Sequence, residues 1–289
     1  MPISPEIVQS EPFAMSLPTM SLPPIRVLTL TQLTGPHEWR LTLAHDSPAH
    51  LVIWITRGQG RLLLNGTRRG VGTHNVISVP PDTLFALELG RQSLGQVVVI
   101  PDGTDVRLPT GPRQLRLRDT ATITELSGLF EAAQREANQP RPLSQDALDA
   151  HVALMSVWLR RQIALPDHLP APMNAAARLS AAFCTRIVRH YSDGSSMADH
   201  AAALNVTPTH LTRACKAATG KTAADLLTER VLCAARSALL DTSVQVQDIA
   251  RHLGFGSAAY FTRFMQQHTK MTPTALRRGD PVVLGFAPR

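Results

Sequence analysis

The chain has 289 residues, 44% of them hydrophobic, which is ample for two domains with their own cores and excludes disorder over the whole length. Its 29 Lys and Arg against 22 Asp and Glu give +7, and residues 173–289 hold the entire surplus: 14 basic against 7 acidic there, 15 against 15 in residues 1–172. Three cysteines, none before Cys184 and none at a metal-type spacing, exclude a disulfide framework and point to a reducing compartment, so a cytoplasmic protein is expected.

Residues 1–24 are cut up by Pro2, Pro5, Pro12, Pro18, Pro23 and Pro24 and lack a basic n-region, so they read as a mobile tail, neither signal peptide nor helix. No apolar stretch reaches the roughly 18 residues that span a bilayer, and no membrane partner is expected. From residue 25 to residue 112 the texture changes to short β-type runs: WRLTLAH, HLVIWIT, GRLLLNG, HNVISVP, LFALEL and QVVVI, separated by Gly, Asn, Pro and Asp. This spacing predicts a small antiparallel barrel or sandwich. Gly58, Gly60, Asn65, Gly66, Gly70, Gly72 and Gly103 supply residues for turns with positive φ. Alternation in HLVIWIT puts His50, Val52 and Trp54 on one face and Leu51, Ile53 and Ile55 on the other, without saying which is interior.

Residues 113–172 read as linker helices. Ile123, Leu126, Leu129, Phe130 and Ala133 form one helical stripe, and Leu148, Val152, Met155, Leu159 and Ile163 form a second after Pro140 and Pro142. The pair either packs back on the β-domain or is shared with a second subunit. LPDHLPAPM, with Pro166, Pro170 and Pro172, then breaks the helical pattern and marks a domain boundary.

Residues 173–289 are helical by pattern and contain a repeat. DHAAALNV matches DIARHLGF at an offset of 49, and the following Thr207, Leu211 and Arg213 match Ser257, Phe261 and Arg263 at 50, with one extra residue accommodated at Gly256. In each copy a short helix ends in Leu and is followed by Asn205 or Gly254, residues that tolerate a left-handed backbone. Thr207 or Ser257 then caps a second helix, with Pro208 at its first position in the first copy. This is a helix-turn-helix, used twice. In the second helices Leu211, Ala214, Cys215 and Ala218, and correspondingly Phe261, Phe264, Met265 and His268, are expected to pack inward. The opposite stripes, Thr209, Thr212, Arg213 and Lys216, then Ala259, Thr262, Arg263 and Gln266, suit a DNA groove. A guanidinium can bond guanine O6 and N7, Thr can bond a base or touch a thymine methyl, and Lys or Gln can reach phosphate.

From about Ala175 to Arg278 these residues resemble the DNA-binding domain of the AraC/XylS family of transcriptional regulators. The second half, DIARHLGFGSAAYFTRFMQQHTKMTPTALRR, follows that family's pattern of IA, GF, F-x-R-F and T-P before a terminal Arg. The resemblance implies a long helix between the units, here Ala223 to Leu240 with Arg230 in place, and two recognition helices in successive major grooves. Carried over by position, the base-reading sites are Thr209, Thr212 and Arg213, then Ala258, Ala259, Thr262 and Arg263, with caps Thr207 and Ser257 beside them. Lys270 replaces the usual glycine, Leu276 a usual aromatic, and Ala223 a proline. Because Ala258 and Ala259 lack hydrogen-bonding groups, the second unit is expected to discriminate bases less than the first.

The β-domain resembles the cupin-type sensing and dimerisation domain often joined to this partner. Cupin enzymes hold a metal with several His and a Glu, but Phe85 stands where a ligand His is common and no His-x-His pair exists. No metal, cofactor or catalytic set is therefore expected, and redox sensing by Cys184, Cys215 or Cys233 lacks a basic cluster to activate a thiol. Trp39, Arg40, His50 and Trp54 are the candidate contacts for a small-molecule effector. The reading is an α+β protein: a disordered tail (1–24), a cupin-like antiparallel β-barrel (25–112), linker helices (113–172) and a double helix-turn-helix domain (173–289). Expected partners are double-stranded DNA, an effector and a second copy of the chain. The alternatives are a cupin metalloenzyme with a DNA-binding tail and a ligand-independent DNA binder.

Overall fold

The computed structural model describes residues 24–139, 141–170 and 172–279. The expected N-terminal tail lies outside them except for Pro24. Eight strands form two antiparallel sheets. Strands β1 (Arg26–Thr29), β2 (Ala49–Arg57), β5 (Asn75–Val79), β7 (Leu94–Pro101) and β8 (Arg113–Arg116) order as β1-β7-β2-β5-β8. Strands β3 (Gln59–Leu64), β4 (Thr67–Gly72) and β6 (Phe85–Leu89) order as β4-β3-β6.

Leu51, Ile53 and Ile55 of β2 point between the sheets, where they meet Leu62, Leu64, Phe85 and Leu87. The opposite face, with Val52 and Trp54, is covered by helices α3 (Thr120–Asn138) and α4 (Ser144–Ile163), whose Leu126, Phe130, Val152 and Met155 close over it. Trp54 and Phe130 stand 5.3 Å apart between ring centroids. Both faces of β2 are thus buried, which is why its sequence is a continuous apolar run rather than a clean alternation. The two linker helices pack back on the sheet, and Trp158 adds a hydrogen bond from its Nε1 to Glu125, 3.1 Å away.

Local chemistry accounts for the tight connections. Asn65 and Gly66, both at positive φ (43° and 74°), make the two-residue turn between β3 and β4. Gly60 serves a different need: a Cβ there would lie 2.0 Å from the carbonyl oxygen of Glu88 on the paired strand β6. One expected strand is absent. Trp39–Thr42, within WRLTLAH, forms a short helix, α2, preceded by α1 (Leu30–Thr34). The helical turn buries both Trp39 and Leu41 while Arg40 reaches Asp241 in the C-terminal half.

His50 is buried, and its Nε2 lies 2.8 Å from Ser78 Oγ. Burial pushes its pKa down to about 4, so the unfolded chain takes up a proton that the folded chain refuses as pH falls below about 6.5. The contribution is intact above that pH and is lost progressively toward pH 4. Acid unfolding followed by Trp fluorescence should therefore move to lower pH in His50→Gln, provided the variant folds at pH 7.

The C-terminal half contains α5 (Ala175–His190), α6 (Met197–Ala203), α7 (Pro208–Thr219), α8 (Ala223–Asp241), α9 (Val246–His252), α10 (Ala258–Thr269) and α11 (Pro273–Arg278). It is docked on the outer face of the three-stranded sheet. Leu63, Leu84 and Ala86 share a core with Phe183, Ile187, Leu211 and Leu226. Polar contacts surround this core. Arg40 makes two bonds to Asp241 (2.6 and 2.9 Å), Arg230 pairs with Asp46, and the Ala44 amide donates to Glu229. The Arg230 guanidinium also lies 3.7 Å from the ring centroid of Tyr191. Among the described residues no helix is long and apolar enough to cross a membrane.

Candidate nucleic-acid interface

Each half of the repeat folds as a short helix, a left-handed turn and a capped second helix. Asn205 (φ 55°) follows α6 and Gly254 (φ 75°) follows α9. At Gly254 a Cβ would also come within 2.6 Å of the Gly194 amide nitrogen, so close backbone approach reinforces the choice of glycine. Thr207 Oγ1 accepts from the amide of His210 (3.2 Å), and Ser257 Oγ accepts from that of Tyr260 (3.1 Å). These bonds satisfy helix-terminal donors that would otherwise lack partners.

The helix ends repeat as closely as the beginnings, by a device the sequence reading missed. Thr219 donates to the Cys215 carbonyl (2.7 Å) and accepts from the Lys221 amide (3.0 Å). Thr269 does the same with Met265 (2.7 Å) and Met271 (3.2 Å), again 50 residues on. The intervening residue is left-handed in both, Gly220 at φ 79° and Lys270 at φ 61°. A side chain is strained in that region, whereas glycine is not. Lys270→Gly should stabilise the domain by roughly 0.5–1 kcal/mol, visible as a raised thermal midpoint.

Leu211, Cys215, Phe261 and Met265 are fully buried, Ala214 is nearly so, and Ala218 and Phe264 are half-buried. His268, expected inside, is exposed. It sits in the last turn of α10, beyond the core, with its ring beside Phe264 at 4.7 Å between centroids. On the opposite face Thr209, Arg213, Lys216, Ala258, Ala259, Arg263 and Gln266 are exposed, and Thr212 and Thr262 half-exposed. Arg213, Lys216 and Arg263 form no ion pair among the described residues, so their charge is available to an outside partner. Thr262 donates its hydroxyl proton to the Ala258 carbonyl (2.9 Å), which leaves its methyl and an oxygen lone pair for a base. Tyr260, 56% exposed and tilted against Phe255, also borders the second stripe.

A helix-turn-helix domain pattern matches residues 200–279, covering the second half of α6 through α11. That match coincides with the doubled unit and with the F-x-R-F and T-P residues. Residues 200–279 carry a helix-turn-helix domain. In this domain α7 and α10 are the second helices of the two units and α8 the long connector between them, with Ala223 at its first position and fully buried. Leu276, at the usual aromatic position, is also buried. Similar solved structures include ToxT from Vibrio cholerae (11% identity, 90% of this chain and 98% of that one, TM-score 0.37). They also include the C-terminal domain of the response regulator AraT from Geobacillus stearothermophilus (24%, 41% and 95%, TM-score 0.34). A third is the C-terminal domain of the response regulator yesN from Fusobacterium nucleatum (23%, 33% and 93%, TM-score 0.32). No curated protein matches the chain.

The four residues expected to contact an effector are divided by the fold. Trp39 and Arg40 line a cavity of about 850 Å³ between the β-structure and the helical half, with Leu51, Tyr191, Arg230 and Leu253. Trp54 is instead buried beneath α3 and α4, His50 is buried against Ser78, and neither lines it. Trp39 Nε1 is buried without a hydrogen-bond partner, and the guanidinium groups of Arg40 and Arg236 stand 5.0 and 4.6 Å from the centroid of its ring. Among the described residues no three His, Cys, Asp or Glu side chains converge on a metal-sized point. Burial holds the Cys215 and Cys233 thiols up at about 11 and pushes Cys184 higher still, so all three are protonated at neutral pH.

Proposed function

We propose that the chain is a sequence-specific transcriptional regulator that reads two adjacent major-groove segments through α7 and α10. The observation that carries this reading is the pair of exposed Thr-Arg stripes, each on a helix whose opposite face is buried and whose basic groups are unpaired. Thr209, Thr212 and Arg213 read bases in one segment, and Thr262 and Arg263, flanked by Ala258 and Ala259, read the other. Lys216, Gln266, Tyr260 and the capped helix starts at Thr207 and Ser257 hold phosphates. Selection of fragments bound by the full chain from a randomised duplex library should enrich a bipartite site whose halves lie about 10 bp apart, and enrichment without sequence preference would overturn the reading. Lys216→Ala should weaken binding to all sequences alike and lower the salt slope by about one.

Control by a small molecule and dimerisation belong to the same proposal. The cavity beside Trp39 and Arg40 is walled by both halves of the chain, so an occupant would favour one docking arrangement over another. Leu143 and Leu154, 74% and 57% exposed at the start and on the outer side of α4, support a second copy docking on the helical pair. Sedimentation of the full chain as a dimer, shifted to monomer by Leu154→Glu, is the expected result.

A further inference from the structure

The structure points to a second ligand site, on the edge of the β-sandwich. Strands β4 and β8 are the outer strands of their sheets on the same side, and Gln114 Nε2 ties them together by donating to the Gly70 carbonyl and to Asn75 Oδ1, both at 2.8 Å. Beside this tie lies a cavity of about 970 Å³, with Arg69 from β4 on one rim and Arg113, Arg116 and Arg118 on the other. The third wall is formed by Leu165 to Pro170, after the end of α4, including the turn Pro166–His168.

None of the four guanidinium groups forms an ion pair among the described residues. Arg113 Nε is buried and has no hydrogen-bond partner. Two carboxylates line the same cavity, Asp119 and Asp167. Asp119 is already committed to the start of α3, where it accepts from the Thr122 amide (2.8 Å) and hydroxyl (2.9 Å). Four cations facing one recess repel each other, and one buried donor there lacks an acceptor. A multiply charged anion relieves the repulsion, and guanidinium forks match phosphate and carboxylate oxygens in pairs. We propose that this cavity binds a small polyanion carrying two or more phosphate or carboxylate groups. Because its third wall leads into α5 and the first helix-turn-helix, the occupant also bridges the sheet edges to the connection that leads to the DNA-binding domain.

Calorimetric titration of the full chain with sodium triphosphate and, separately, with citrate tests the proposal, and the tighter probe identifies the anion type. Binding should weaken at least tenfold in the double variant Arg116→Ala/Arg118→Ala, whose side chains are exposed. It should persist in Arg91→Ala, an exposed arginine outside the cavity, and in Arg213→Ala/Lys216→Ala, which removes charge from the DNA-facing stripe. Failure of both probes to bind would overturn the proposal. So would binding that is lost from the Arg213/Lys216 variant but retained by the Arg116/Arg118 variant. Loss of DNA affinity in the Arg116/Arg118 variant, with no probe binding to the parent chain, would assign these arginines to the DNA backbone and also overturn it.

Discussion

Replacing Arg213 by alanine is expected to cost about 1–3 kcal/mol at the chain's preferred DNA site, roughly 5- to 150-fold in affinity, and to relax the base preference at one position. The magnitude follows from loss of a bidentate guanidinium–guanine contact rather than of one phosphate contact. The fold should be unaffected, since Arg213 is exposed, forms no ion pair among the described residues, and lies opposite the buried Leu211 and Cys215. Fluorescence anisotropy at fixed salt, with the selected site and its single-base variants, separates the two effects. Equal, sequence-blind losses from Arg213→Ala and Lys216→Ala would remove the base-reading role from Arg213. The same change at Arg263 should cost less discrimination, because its neighbours Ala258 and Ala259 have no hydrogen-bonding groups and Thr262 has spent its proton on the helix.

Asp46→Ala is expected to destabilise the full chain by about 3 kcal/mol. The Arg230 and Asp46 side chains are only 11% and 14% exposed, and removing the carboxylate leaves a guanidinium between the domains with the Tyr191 ring as its remaining close companion. Asp46→Asn, which keeps an acceptor, should cost less. Urea unfolding checks both, and separation of one transition into two would show that the pair couples the halves. An unchanged midpoint in Asp46→Ala would mean that water compensates the buried charge. The outer pair, Arg40 with Asp241, has one partner half-exposed and should contribute far less.

The helix-turn-helix could be read from the sequence nearly residue by residue. Asn205 and Gly254, the caps Thr207 and Ser257, and the buried set Leu211, Cys215, Phe261 and Met265 all stand where the pattern put them. The strand β2 was equally plain, but its faces were not: Leu51 or Val52 could have pointed inward. Only the arrival of α3 and α4 on one side and the second sheet on the other gave each face its cover. That assignment buried His50 and Trp54, while Trp39 and Arg40 came to a cavity between the halves. WRLTLAH misled because four residues of alternating apolar pattern fit a strand and a single helical turn equally well. His268 misled because periodicity carries no information about where the core ends.

The division has one physical cause. Caps, left-handed turns and amphipathic stripes are settled within about twenty residues by backbone sterics and local hydrogen bonds, so they are written in the sequence. Contacts such as Arg230 with Asp46 and Arg40 with Asp241, 184 and 201 residues apart, exist only once burial has packed the sheets and helices together. Charge shows the same split. The +7 surplus of residues 173–289 and its partner could be read from composition and repeat alone, and the even balance of residues 1–172 gave that half no reason to meet an anion. Tertiary structure decided otherwise: pairing two sheet edges gathered Arg69, Arg113, Arg116 and Arg118 around one recess, a concentration of charge that a neutral sum conceals.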